Sequence, residues 1–318
     1  MLTQLHDFTV VSIPTTTNFR GINYREAALF RGEAGWSEFS PFLEYGAEES
    51  ATWLKAAFEA AHQPWPELKR SAIPINATLP RVSPDRVSEI LKFFPGCTTI
   101  KIKVDSFEAD RELVAAALAY NPEAKIRIDV NGGWSREAAL VNLSAFHNYF
   151  GEVFEYVEQP CDSLVDLADV KKRIPIKIAA DEAIRKNLGS NFSALSEIAD
   201  VAIVKWAPSG GITAARKLIS EIGLPAVISS ALDTGIGISH GLALAASLDQ
   251  LDFACGLGTV ALLESDICDP AVIVRNGAID VARMVPTPAL LAKYRAADDR
   301  QEWWKNRVAK IIDGGWLG

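Results

Sequence analysis

Short apolar runs rich in Ile, Val and Ala recur along residues 75–256, and each stops at a polar residue or a glycine. The stops fall at Lys103, Asp129, Glu158, Asp181, Lys205, Ser230 and Gly256. They lie roughly 25 residues apart, the length of one buried strand, a turn, a helix and the return. The runs predict strands at 75–79, 99–104, 125–130, 154–158, 176–180, 201–205, 226–229 and 253–256. Between them, 105–120, 135–150, 193–198, 212–222 and 237–248 carry apolar residues three and four apart, the spacing of an amphipathic helix. Alternating strands and helices signal parallel strands with crossover helices, and strands so evenly spaced favour a closed α/β barrel over an open doubly wound sheet.

Residues 1–72 do not follow this period. Two alternating runs predict strands at 8–13 and 24–30, separated by a loop at 14–21. A turn at 31–35 and a return strand at 36–39 complete a hairpin, and 48–62 has helical spacing. Pro64, Pro66 and Pro74 punctuate the join to the barrel. The expected organisation is an α+β capping domain over 1–72, joined by a C-terminal tail at 280–318, and a (β/α) barrel over 73–279. The tail's Trp303 and Trp304 are expected to pack back on the capping unit.

Composition narrows the class. The chain has 318 residues, 49% of them apolar, enough for a sizeable core. Its 40 acidic and 32 basic residues leave a net charge of −8, which repels phosphate backbones and anionic lipid. Neither a nucleic-acid nor a membrane partner is expected. The first residues, Met1 to Asp7, lack the basic and apolar segments of a signal peptide, which points to the cytoplasm. Cys97, Cys161, Cys255 and Cys268 are widely spaced and form no Cys-x-x-Cys pair, as expected of reduced, partly buried thiols.

In a barrel the carboxyl ends of all strands converge on one mouth, so the polar stops become neighbours. Lys101 and Lys103 are two apart and point to the same side of a strand. An edge strand would show such lysines to water, but a closed barrel has no edge. Two adjacent cations, with a metal nearby, would lower a lysine pKa from about 10.4 toward the 7–8 useful to a general base. Asp129, Glu158 and Asp181 end three consecutive strands, and such hard oxygen ligands suit Mg²⁺. A single acid there would more often cap a helix. No histidine accompanies them, which disfavours zinc. Lys205 ends the strand opposite Lys103. A substrate between the two lysines could lose a proton beside a carboxylate, and the resulting enediolate would be stabilised by the divalent ion.

The motifs Lys101-Ile102-Lys103, Arg127-Ile128-Asp129-Val130-Asn131, Glu158-Gln159-Pro160, Ala180-Asp181-Glu182 and Lys205-Trp206-Ala207-Pro208-Ser209-Gly210-Gly211 occur in this order at strand ends. Together they resemble the enolase superfamily. The resemblance implies that family's modified TIM barrel and cap, with Lys103 as base, Lys205 as the cation on the opposite face, and Asp129, Glu158 and Asp181 as Mg²⁺ ligands. Lys101 and Arg127 would support them. Arg127 shares the face of Asp129, either to fix that carboxylate or to neutralise the barrel interior. Ser229, Ser230 and Gly256 resemble the family's substrate-binding strand ends, and Arg20 stands in a segment resembling its substrate-covering loop. The substrate would be a small carboxylate and the enzyme a lyase, monomeric or weakly self-associated.

Alternatives remain open at this point. A lysine on each face also suits a racemase of N-succinylamino acids. The Asp-x-Asp pair with which dipeptide epimerases hold an ammonium group is absent from the eighth strand end. Gly210-Gly211 and Gly235-x-Gly237 could instead cradle a phosphate at helix amino termini, and a barrel without chemistry could serve as a binding module.

Overall fold

The computed structural model describes residues 6–19, 21–187, 192 and 195–317. The chain opens with an antiparallel sheet of β1 (His6–Phe19), β2 (Ile22–Gly32) and β3 (Gly35–Phe39). Central β2 buries Ala27, Ala28, Leu29 and Phe30, and α1 (Ala47–His62) packs on β2 and β3. The loop expected at 14–21 is strand as far as Phe19, with a shift in pairing between Pro14 and Phe19. Three β-branched threonines, Thr15 to Thr17, suit an extended chain. The barrel also holds the far side of this strand, through a Thr15–Leu263 bridge and a hydrogen bond from Glu264 N to Pro14 O of 2.8 Å.

Next come β4 (Ala72–Pro74), β5 (Ala77–Leu79), α2 (Val87–Leu91), β6 (Thr99–Lys103), α3 (Phe107–Tyr120), β7 (Lys125–Asp129), α4 (Arg136–Phe150) and β8 (Phe154–Glu158). Then follow α5 (Leu164–Arg173), β9 (Ile178–Ala180), α6 (Glu182–Arg185), α7 (Leu195–Ile198), β10 (Val201–Val204), α8 (Ile212–Ile222), β11 (Ala226–Ile228) and α9 (Gly235–Ser247). Strands β5 to β11 form one parallel sheet in sequence order. Helix α5 fills an interval in which the sequence pattern placed no helix.

The expected eighth strand is a correction of degree. Residues 253–256 join the sheet only through isolated bridges, Ile75–Cys255 and Ser229–Gly256. Even so, Cys255 N donates to Pro74 O at 2.7 Å, Asn76 N to Cys255 O at 3.0 Å and Gly256 N to Ile228 O at 2.8 Å. This segment therefore bonds to both ends of the seven-stranded sheet and closes the ring.

Serine side chains begin the helices after β6, β7 and β8. Ser106 accepts from Ala109 N, Ser135 from Ala138 N and Ser163 from Asp166 N, which satisfies donors that a helix start leaves open. Inside the barrel Arg127 is fully buried. It donates to Glu155 at 2.6 Å, to Asn76 Oδ1 at 2.8 Å and to Ala254 O at 2.8 Å, with its guanidinium 4.6 Å from the Tyr156 ring centre.

The chain ends with β12 (Ala278–Asp280), which pairs with β4, then α10 (Pro288–Lys293) and α11 (Asp298–Asp313). The tail returns to the first sheet. Trp304 stacks edge-on against Phe39 and donates to Glu26 at 2.7 Å. Gln301 completes hydrogen bonds to both N and O of Val10. Trp303 is partly exposed beneath the guanidinium groups of Arg300 and Arg307. All four cysteines are free and buried, and no helix among the described residues is long and apolar enough to cross a membrane.

Candidate active site

The strand ends open into a cavity of about 680 Å³, open solvent included. Lys101, Lys103, Asp129, Glu158, Asp181, Lys205, Ser229, Ser230 and Gly256 all line it. Parallel register explains the convergence, because Lys103 pairs with Asp129 and Asp129 with Glu158, so successive strands deliver their last side chains at one level. Of the other expected residues, Arg20 lies outside the described residues. Arg127 does not line the cavity, and its contacts favour neutralising the barrel interior over fixing Asp129.

Ammonium and carboxylate groups interlock here. Lys101 Nζ lies 2.6 Å from Glu158 Oε1 and 2.8 Å from Asp129 Oδ2, and Lys103 Nζ lies 2.6 Å from the same Asp129 oxygen. Lys103 also bonds Asn131 Oδ1, and Lys205 pairs with Asp181. Burial alone would raise the pKa of Asp129, but the charges and hydrogen bonds of Lys101 and Lys103 overcome it and hold the carboxyl well below its ordinary range. Asp181 is likewise lowered, with Lys205 outweighing burial. Glu158 is pushed up to about 7 by burial and the neighbouring charge of Asp129. Glu182 is raised by burial and then by Asp181.

Burial lowers the pKa of both Lys101 and Lys205, yet the carboxylates beside them more than offset it and both are raised.

None of the three strand-end acids caps a helix. Serines do that after β6, β7 and β8, and Asp181, at the start of α6, makes no side-chain cap. Their chemistry fits a hard divalent cation, since every donor is a carboxylate oxygen. Glu182 adds a buried Oε2 without a hydrogen-bond partner. As arranged, each acid is drawn to an ammonium. No group of three acidic, histidine or cysteine side chains among the described residues is gathered to metal distance, so an ion would have to take the place of ammonium partners.

The structure also brings in residues that the sequence pattern did not single out. Phe42, Tyr45 and Trp53 form an aromatic wall from the cap, with ring centres 5.6 to 6.4 Å apart. Thr78, Asn131, Glu182, Arg185, Pro208, Ala231 and Thr259 complete the lining. Asn131 has a φ of 52° and bonds both Lys103 and Glu182. The Asp-x-Asn spacing after β7 was the available signal. Phe42 and Tyr45 have no periodic signature, because they follow β3 in an irregular loop, and Trp53 stands on α1.

The cap also fixes the loop after β11. Arg25 is 2% exposed and donates to Leu232 O at 3.0 Å, to Ala231 O at 3.2 Å and to Ser40 O. Glu38 accepts from Thr234 N, Thr234 Oγ1 and Gly237 N. A Cβ on Gly256 would lie 2.7 Å from Ser229 Oγ, so a larger residue there would require the Ser229 hydroxyl to turn away. Ser230 Oγ bonds Gly256 O at 2.8 Å and Thr259 Oγ1 at 2.7 Å.

These contacts overturn the phosphate-cradle alternative. Gly235 N donates to Asp266 and Gly237 N to Glu38. At the other helix start, Thr213 N donates to Glu59, and a Cβ on Gly211 would lie 2.6 Å from that carboxylate. Both glycine turns already face carboxyl oxygens.

Comparison with known proteins agrees with this geometry. Residues 10–61 match the family described as enolase N-terminal domain-like, and residues 89–286 match enolase C-terminal domain-like. The chain is 45% identical over 315 residues to an o-succinylbenzoate synthase of Mycobacterium marinum, covering 97% of this chain and 93% of that one. It is 42% identical over 303 residues to one of Mycobacterium tuberculosis, covering 94% and 91%. A muconate lactonizing enzyme from Pseudomonas fluorescens shares the fold with a TM-score of 0.77 at 18% identity, covering 92% of this chain and 99% of that one. The L-Ala-D/L-Glu epimerase from Bacillus subtilis does so with 0.74 at 20% identity, covering 89% and 97%.

Proposed function

Since this chain belongs to the enolase superfamily and, within it, to the o-succinylbenzoate synthase family, we propose that it dehydrates 2-succinyl-6-hydroxy-2,4-cyclohexadiene-1-carboxylate to o-succinylbenzoate, a menaquinone precursor. We place the reaction in the cytoplasm, in a monomer or weak homo-oligomer. One observation carries the reading. Lys103 ends β6, and Lys205 follows β10 across the ring, while Asp129, Glu158 and Asp181 stand at the three strand ends between them.

Asp129, Glu158 and Asp181 would hold Mg²⁺, which supplies Lewis-acid charge to a substrate carboxylate. Lys103, as the free amine, takes the proton alpha to the ring carboxylate. Lys205 remains an ammonium and faces the enediolate from the opposite side. Lys103, now protonated, returns that proton to the departing hydroxide, so water leaves and the ring becomes aromatic. Asn131, bonded to Lys103 and Glu182, orients the base. The aromatic wall of Phe42, Tyr45 and Trp53 covers the ring and excludes water.

The test is ultraviolet detection of aromatic product by the purified protein, with Mg²⁺, with chelator, and with Mg²⁺ restored. Turnover that follows Mg²⁺ is expected; no aromatic product from the Mg²⁺-loaded protein would sink the assignment. The paired lysines also suit an N-succinylamino acid racemase, which would exchange the alpha proton of both enantiomers for deuterium. A dedicated synthase exchanges neither.

A further inference from the structure

A second cavity of about 620 Å³, open solvent included, is lined by Tyr45, Ala47, Trp303, Asn306, Arg307 and Lys310. One side of it is α11. Trp303, Asn306, Arg307 and Lys310 follow one another by three, one and three positions, so they share a face of that helix. The other side is the start of α1 and the loop before it, and Tyr45 lines this cavity and the catalytic one alike.

Charge is unbalanced here. No acidic side chain lines the cavity among the described residues. Arg300, earlier on α11, pairs with Glu26 at 2.7 Å, whereas neither Arg307 nor Lys310 has a carboxylate within ion-pair distance among the described residues. Arg307 is 8% exposed and its partners are neutral. Its Nη1 donates to Pro41 O at 3.4 Å, and its Nη2 lies 2.8 to 2.9 Å from Phe42 O, Tyr45 O and Ser50 Oγ. The Nε hydrogen and one hydrogen of Nη1 have no acceptor among the described residues. Burial, and then Arg25, pull this guanidinium down from its ordinary 12.5 to about 10, and Glu44 and Glu49 do not make up the loss. A buried cation with only neutral partners favours an added anion.

We propose that this cavity is a second ligand site, built for an organic carboxylate with an apolar body. Arg307, Lys310 and Asn306 receive the carboxylate, and Tyr45, Ala47 and Trp303 bed the rest of the molecule. Both halves of the lining are needed to define the ligand. A bare inorganic anion leaves the aromatic and methyl surfaces unused, and a neutral apolar molecule leaves the positive charge uncompensated. The volume lies in the range of small-molecule pockets, about 300 to 1,000 Å³. Nothing in this site depends on the reaction proposed above.

If Arg307 serves only to hold the cap loop, the cavity has no preference for an acid and the charge of Lys310 has no bearing on it. The experiment is calorimetric titration of the full-length, Mg²⁺-loaded protein with 2-naphthoate, with its neutral counterpart 2-naphthamide, and with acetate, which lacks the apolar body. Wild type is expected to bind naphthoate more tightly than either of the others. Lys310→Glu, a change at an exposed position outside the catalytic cavity, is expected to weaken naphthoate by about tenfold or more, the range of a hydrogen bond to a charged group, and to leave the amide nearly unchanged. Asp181→Ala should leave naphthoate binding as it is. Absence of naphthoate binding by wild type, equal binding of the amide or of acetate, or an unmoved affinity in Lys310→Glu would overturn the proposal. So would loss of naphthoate binding in Asp181→Ala, which would place the acid in the catalytic cavity instead.

Discussion

The strand ends of the barrel and the loop after β3 face the same cavity but are held in opposite ways. The strand ends present lysines and acids on regular backbone, fixed by ladder register and by mutual charge. The loop presents Phe42 and Tyr45 on irregular backbone, and it is fixed from behind. Arg307 of α11 donates to Pro41 O, to Phe42 O and Tyr45 O at 2.8 Å each, and to Ser50 Oγ. The difference teaches that reactive geometry comes from the sheet, whereas the wall against the substrate depends on a remote helix. Damage at the strand ends should therefore stop chemistry at unchanged stability, and damage behind the loop should loosen binding and folding together.

The strongest test is Lys103→Ala. Loss of a general base is expected to lower kcat by about 10³-fold or more, with the circular-dichroism melting curve preserved; substantial remaining turnover would show that another group removes the proton. Asp181→Ala is expected to raise the Mg²⁺ concentration for half-maximal rate by more than about 100-fold, beyond the roughly 10- to 100-fold typical of losing an outer partner of a metal ligand. Metal titration of the rate checks it, and an unmoved midpoint would take Asp181 out of the ligand set. Behind the loop, Arg307→Ala is expected to destabilise by about 2 kcal/mol, since it strands several backbone carbonyls. Denaturant melts would show this together with a raised KM, and a raised KM alone would blur the contrast. Tyr45→Ala should raise KM by about tenfold, some 1.4 kcal/mol, with little change in kcat. A fall in kcat without a KM change would put Tyr45 among the reacting groups.

The smallest effect is on pH dependence. Glu38 is pushed from 4.5 up to about 7 by burial and the nearby Asp233. Its folded pKa is raised, so between these values the folded state holds more protons than the unfolded one, and stability falls as pH rises. Glu38→Gln should flatten the slope of stability against pH in that window. An identical slope in the variant would show that Glu38 titrates normally.

Most of the barrel was legible because buried parallel strands end abruptly at polar residues, and register then aligned Lys103, Asp129 and Glu158 without further information. Where register alone did not decide, legibility failed. The closing segment at 253–256 makes single-residue bridges and leaves too short a run to mark a strand's true length. Thr15 to Thr17 read as a loop after Pro14, because the bonds that extend them come from residues 262–264, far along the chain. Arg185 and the aromatic wall gave no signal, since their place depends on how the cap meets the barrel.

Serine at the start of α3, α4 and α5 has one more consequence. The helices already have their end groups satisfied, so Asp129 and Glu158 carry no duty in holding those helices together. A lineage could exchange such acids, one at a time, and inherit an intact scaffold at every step. Diversification of chemistry on this framework is thus decoupled from the risk of losing the fold.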